Sequence, residues 1–439
     1  MRLAWCALRV RRAQRADTAA RGPGRLAREV PVEQQDPDGS RLLTSRDVGE
    51  LLSAAVEHAG GQLLDWRMDH VDANPQHSTT ATYHASVKWP FGRRDELLGV
   101  SARAGGPAPS DERAEIFAAG DRRMAVWLYP KDPDLPGLAR AAYPDQMADL
   151  LTNQRVLPRP VRPDEVTLEM IAYRPRRRAV LRVTVDSPAG RAVFYVKVLR
   201  AQLFADVERR HRMLLQAGVP APPVVATTED YLLVLRELGG RPLAKAIFDE
   251  RPPCTAEALI TLLDAMPPAV SQLQRRPPWT DSVQHYSQMV SRALPMERRR
   301  LDWITGEIQS GLAGISPGDE PTHGDFHEGQ VHVEAGRIVG VLDVDTIGPG
   351  RRVDDLACLV AHLSTVQRMN AQQAARVRAL LQGWVPVFDT RVDPAELRLR
   401  AAAVIISLAT GPYRSQEPHW ARETSFILDA AEALVRQVR

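Results

Sequence analysis

His323-Gly324-Asp325-Phe326-His327-Glu328-Gly329-Gln330-Val331 is the stretch of this 439-residue chain that says most about its fold. It runs straight into His332-Val333, Glu334-Ala335-Gly336 and Arg337 to Leu342, and ends in Asp343. Apolar residues on both sides of a glycine-bearing turn predict a β-hairpin in which Val333 pairs with about Arg337. Such pairing carries Asp343 back across the ladder towards His327. Asp325, Gln330 and Asp343 then gather at one end of the hairpin. Two carboxylates and an amide oxygen form a hard, all-oxygen donor set, which suits Mg²⁺ and not zinc. If the chain stays extended, Asp345 adds a carboxylate on the same side as Asp343.

The chain upstream reads as strands. Only four lysines occur (Lys88, Lys131, Lys197 and Lys245), and Lys197 sits inside the strand-like run Val193-Phe194-Tyr195-Val196-Lys197-Val198. An unpaired ammonium in a buried strand is costly, so Lys197 calls for anionic partners. Val166–Tyr173, Ala179–Asp186 and Ala192–Val198 read as three strands separated by turns. A helix follows from Ala201 to Ala217, with Leu203, Phe204, Val207, Met213, Leu214 and Leu215 on its apolar side and Gly218 as its stop. Val224–Ala226 and Tyr231–Leu235 give two more strands. From Arg241 the pattern is mostly helical, interrupted by the hairpin. The fold class is therefore α+β, a small antiparallel sheet followed by a helical lobe.

With those residues in view, the chain resembles the aminoglycoside phosphotransferase family of the protein-kinase-like fold over residues 161–439. The family's catalytic loop is His-x-Asp-x-x-x-x-Asn; here it reads His323-x-Asp325-x-x-x-x-Gln330, the glutamine keeping the amide oxygen and adding a methylene. Leu342-Asp343-Val344 matches the family's Ile-Asp-Trp/Phe. Gly350-Arg351-Arg352-Val353-Asp354-Asp355-Leu356-Ala357 matches its Gly-x-x-x-x-Asp-Leu-Ala close. The resemblance implies a two-lobed core that moves the γ-phosphoryl group of ATP (or GTP) to a hydroxyl of a small molecule. It implies that Asp325 orients the acceptor hydroxyl and that Asp343 and Gln330 hold Mg²⁺. Lys197, partnered by Glu208, would hold the phosphates, and the main chain at Glu237 and Leu238 would meet the base. His323 and Asp355 would brace the loop. Tyr173-Arg174-Pro175-Arg176-Arg177-Arg178 stands where a protein kinase has its glycine-rich turn, so Arg176, Arg177 and Arg178 would grip phosphate oxygens with side-chain forks.

Two other readings compete. His323, Asp325 and His327 alternate, and on one face of an extended strand they would suit the Zn²⁺ of a metal-dependent hydrolase. Gln330 and the arginine turn also fit a catalytically inactive nucleotide-binding or scaffold protein. Residues 241–320 carry ten acidic and nine basic side chains, which argues for a neutral or anionic acceptor over a polycation.

Composition narrows the rest. Hydrophobic residues make up 44% and charged residues 25%, which excludes collagen-like and wholly disordered chains. The longest apolar run, Ala401–Ile406, falls well short of the ~20 residues of a membrane span. Met1–Val10 lacks the apolar centre of a signal peptide, so a cytoplasmic location is expected. Cys6, Cys254 and Cys358 are too scattered for a disulfide framework. Fifty-seven basic against 54 acidic residues give no reason to expect a nucleic-acid or membrane partner. Residues 1–40, with eight arginines before Glu29, read as a basic disordered tail. Residues 41–160 read as an accessory α+β domain. In it Ser45 caps a helix bearing Val48, Leu51, Leu52, Ala55 and Val56, and Thr79–Trp89, Glu96–Ala102 and Met124–Tyr129 are strands. The small sheet lobe would take 161–240 and the helical lobe 241–439.

Overall fold

Residues 36–119, 122–366 and 369–438 are described by a computed structural model. Two compact units emerge: the chain up to Ala201 with Ala226–Val234, and Gln202–Val225 with Leu235 onward. The expected accessory residues 41–160 and the strands that follow them thus share one unit. Residues 1–35 of the expected tail lie outside the described residues. Its last five residues do not behave as a tail: Asp36 accepts the Arg41 N–H at 3.1 Å, and buried Asp38 accepts that of Gln76 at 2.6 Å.

The first unit opens with helices α1 (Ser40–Thr44) and α2 (Val48–His58). Ser45 precedes α2 without capping it; its hydroxyl accepts the N–H of Asp47. Val48, Leu51, Leu52 and Val56 recur at helical spacing and are buried. Strands β1 (Gln62–Asn74), β2 (Ser78–Trp89), β3 (Gly92–Arg103), β4 (Glu115–Ala119) and β5 (Arg122–Leu128) form one antiparallel sheet in the order β1-β2-β3-β5-β4. Strands β1 and β4 were not legible. They are the two edges, and β1 is mostly wetted, so charged residues break its apolar pattern. Helices α3 (Leu138–Ala141) and α4 (Pro144–Asn153) lead to β6 (Val166–Arg174), β7 (Arg178–Ser187) and β8 (Gly190–Leu199). These pair as successive hairpins, and β9 (Val224–Thr227) and β10 (Leu232–Arg236) complete the order β6-β7-β8-β10-β9.

The second unit begins with α5 (Ala201–Gln216) and continues through β11 (Arg241–Pro242), α6 (Leu243–Ala246), α7 (Ala256–Asp264), α8 (Val283–Ala293) and α9 (Arg298–Gly311). After β12 (Glu320–Thr322) come β13 (Val331–Glu334), β14 (Arg337–Val341) and β15 (Gly348–Gly350). Helices α10 (Arg352–Ser364), α11 (Ala371–Phe388), α12 (Pro394–Leu408), α13 (Gly411–Arg414) and α14 (Trp420–Arg436) close the chain. The apolar run Ala401–Ile406 lies in α12, buried on every side, so it is the axis of the helical core. Among the described residues no helix is long and apolar enough to cross a membrane. In the hairpin Glu334 pairs with Arg337, one step from the expected register. Ala335 and Gly336 both take positive φ, the backbone of a two-residue I′ turn.

Candidate active site

The site is built from the start of α10. Asp354 and Asp355 occupy its first turn, where the helix dipole favours carboxylates. Arg400 on α12 donates to Asp354 and to Glu396, each at 2.7 Å, and Arg351 grips Glu396 at 2.7 and 2.9 Å. This network fixes the N-terminus of α10 against α12. Asp355, fully enclosed, then accepts two consecutive main-chain N–H groups at 2.8 Å, from His323 and from Gly324. Burial pushes its carboxyl up to about 6, opposed by those N–H groups and by Arg352.

His323 is engaged by main chain through both ring nitrogens. Its ring is buried, with Nε2 2.9 Å from the Leu342 carbonyl and Nδ1 accepting the Asp325 N–H at 3.3 Å. The Thr346 hydroxyl donates to the His323 carbonyl at 2.8 Å. Gly324 has φ +81°, and a Cβ there would stand 2.7 Å from the Thr346 carbonyl oxygen. Residues 323–330 therefore bend and turn, and the alternation that would have set His323, Asp325 and His327 on one face does not exist. With both ring nitrogens engaged by main chain, His323 has none left for zinc. Among the described residues, the groups close enough to share a metal are Asp325, Cys358 and His362, and His327, Glu328 and His362.

The hairpin returns the chain from Gln330 to Asp343. Val331 pairs with Val341, and the Leu342 N–H donates to the Gln330 carbonyl at 2.7 Å, which puts Gln330 beside the end of the strand that delivers Asp343. Asp343 adopts a left-handed backbone (φ 50°, ψ 47°), uncommon for a residue with a side chain. Asp325, Asp343 and Asp345 all act electrostatically on the buried His323 ring, which burial keeps below its ordinary pKa. Asp345 departs from expectation, because a 3₁₀ turn (Val344–Thr346) follows Asp343 in place of extended chain. Asp345 is buried and faces His211 of α5 at 3.6 Å. The Cys358 Sγ lies 3.9 Å from Asp325; burial and the nearby carboxylates of Asp325, Asp355 and Glu328 hold it as a thiol.

Within the arginine turn, Arg176 departs from expectation. Arg176, at φ 62°, is buried, and its guanidinium meets Asp111 at 2.5 Å, Asp134 at 2.8 Å, Ser101 at 2.5 Å and Ser110 at 3.0 Å. Its main-chain N–H donates to buried Asp132 at 2.8 Å, which also accepts the Tyr173 hydroxyl. Every one of these partners belongs to the accessory residues or the turn itself, so Arg176 is held as a clamp within this unit. Arg177 is exposed and pairs with Asp72 at 3.0 Å; Arg178 begins β7 opposite Leu199. Lys197 is buried in β8, as its strand setting suggested. Glu208 on α5 holds Arg212 at 2.6 Å. Glu237 is exposed, and Leu238 packs into the space that Gly340 leaves.

Three participants were not visible in the sequence. Arg276 is half-buried, its guanidinium held below its ordinary value by burial and by Arg210, while Asp345, Asp206 and Asp343 pull the other way. Arg210 is buried and tied to Asp206 at 2.7 Å. His362 of α10 stacks on His327, ring centroids 4.1 Å apart. No local pattern marks any of them, because each meets the loop from a distant element.

A small antiparallel sheet followed by a helical unit that carries such a loop defines the protein-kinase-like class. Residues 176–392 match the model of the phosphotransferase enzyme family. Among solved structures the chain is similar to a thermostable mutant of aminoglycoside phosphotransferase APH(4)-Ia, at 15% identity and TM-score 0.44, over 62% of this chain and 95% of that one. It is similar to an ethanolamine kinase of Plasmodium vivax, at 10% identity and TM-score 0.41, over 63% and 85%. A macrolide 2′-phosphotransferase from Brachybacterium faecium stands at 16% and 0.39, over 65% and 98%. No curated protein matches the chain.

Proposed function

We propose that the chain is a small-molecule kinase that moves the γ-phosphoryl group of ATP (or GTP) to a hydroxyl acceptor. The observation that supports this reading is the clamp of Asp355 on the His323 and Gly324 main chain, one residue before Asp325, followed by the hairpin that runs from Gln330 to Asp343. Asp343 and Gln330 offer the hard oxygens that Mg²⁺ takes. When bound, Mg²⁺ supplies charge neutralisation on the phosphates. Asp325 accepts a hydrogen bond from the acceptor hydroxyl and aims its oxygen; in a loose transition state that positioning matters more than removing the proton. Lys197, buried in its strand, is the candidate to hold phosphate oxygens, and the main chain at Glu237 and Leu238 the candidate to meet the base. Asp343→Asn should abolish Mg²⁺-dependent nucleotide binding by calorimetry, and Asp325→Asn should remove turnover in a nucleotide-consumption screen across sugars, amino alcohols and nucleosides while leaving that binding intact. Turnover surviving in both variants would refute the reading.

A further inference from the structure

The imidazole of His327 is confined on several sides. The Gly329 N–H donates to its Nδ1 at 3.1 Å, and a Cβ on Gly329 would stand 2.8 Å from its Cε1, so only glycine leaves room for the ring. His362 stacks on one face, nearly parallel at 7°, and the Glu328 carboxylate lies 3.8 Å from His327 Nδ1 and 3.7 Å from His362 Nδ1. A metal ion lies in the ring plane of each histidine it binds, and two parallel planes share no such point. The pair is therefore a stack and not a metal centre.

The Gly329 contact decides the tautomer. Nδ1 must present its lone pair to that N–H, so the neutral ring carries its proton on Nε2. The Gln330 amide nitrogen, as placed, lies 3.0 Å from this Nε2, so two donors would face each other. An amide exchanges its oxygen and nitrogen by a half-turn, and only the oxygen accepts from Nε2–H. We propose that His327 is the positioning residue for Gln330, its Nε2–H holding the amide oxygen and so fixing a side chain one methylene longer than asparagine. That oxygen keeps a second lone pair for the cation. This inference rests on Gln330 as a Mg²⁺ ligand.

Mn²⁺ binding in the presence of ADP, followed by calorimetry and by electron paramagnetic resonance, tests it. Outer partners of a ligand are typically worth 10–100-fold in metal affinity. His327→Ala should weaken Mn²⁺ by about tenfold or more with ADP affinity in the absence of metal unchanged. His327→Gln, which restores an N–H donor, should recover most of the loss. Adding His327→Ala to Gln330→Leu should cost nothing further. Parent-like Mn²⁺ affinity in His327→Ala, with Gln330→Leu impaired, overturns the positioning role and leaves the ligand reading standing. Parent-like affinity in Gln330→Leu removes the ligand reading and the inference with it. Independently of any variant, imidazole ¹⁵N shifts of the metal-free protein should show His327 protonated at Nε2; a proton at Nδ1 overturns the proposal.

Discussion

The Asp355 carboxylate accepts the His323 main-chain N–H at 2.8 Å across 32 residues of sequence, and its other oxygen takes Gly324 at the same distance. A protonated carboxyl cannot accept on both oxygens equally, so the clamp is complete only in the ionised form. Burial raises the folded-state pKa to about 6, above the ordinary 3.8. The sign follows: this group's contribution to stability is fully present below about pH 3.8 and is lost as pH rises through about 6. Acidification therefore loosens the loop without unfolding the protein through Asp355. Turnover should fall as pH drops through about 6, while the melting temperature does not fall in step over the same interval. Asp355→Ala should lower turnover at neutral pH and cost about 2–4 kcal/mol in denaturant unfolding, since two buried N–H groups lose their acceptor. Parent-like turnover in that variant would show the clamp to be dispensable.

Arg176 gives a second test, because its two possible roles make opposite demands. As a phosphate fork it would contribute to nucleotide affinity and little to folding. As the clamp observed here, its removal strands Asp111 and Asp134 without their buried cation. Breaking a buried ion pair from one side costs about 3–5 kcal/mol. Arg176→Ala should therefore unfold at markedly lower denaturant concentration, with nucleotide affinity of the folded protein close to that of the parent. A stable variant with weakened nucleotide binding would return Arg176 to the phosphates.

The same residue marks how far the sequence reading reached. The hairpin between Val331 and Val341 was legible because it is a local pattern, set by spacing along one short segment. Asp355 was reachable through the resemblance of residues 350–357 to the family's closing motif. Arg176 was not, since Ser101, Ser110 and Asp134 lie 75, 66 and 42 residues away and nothing in its own turn announces them. His327 failed for a different reason: alternation put it on a strand face, whereas the glycines at 324 and 329 let the chain turn and His362 arrives from α10. Strand β1 was hidden by its charges, which an edge strand wetted along most of its length tolerates.

Gly324 is where backbone strain and catalytic geometry meet. Its φ of +81° lies where a side chain is disfavoured, and a Cβ would approach the Thr346 carbonyl oxygen to 2.7 Å. That carbonyl cannot retreat easily, because the Thr346 hydroxyl is bonded to the His323 carbonyl one residue earlier. Gly324→Ala must therefore either strain φ or push the loop off the Asp355 clamp. The backbone cost alone is about 1–2 kcal/mol, a modest loss for the whole chain. The effect on chemistry should be larger, because Asp325 is the next residue and a displacement of about 1 Å at a reacting group costs about a hundredfold. Turnover should thus drop by about that factor. Nucleotide affinity should change little, since Lys197 and the Asp343 end of the hairpin are untouched. Steady-state kinetics beside calorimetric nucleotide binding separates the two. Full turnover in Gly324→Ala would mean that the tight turn does not set the aim of Asp325.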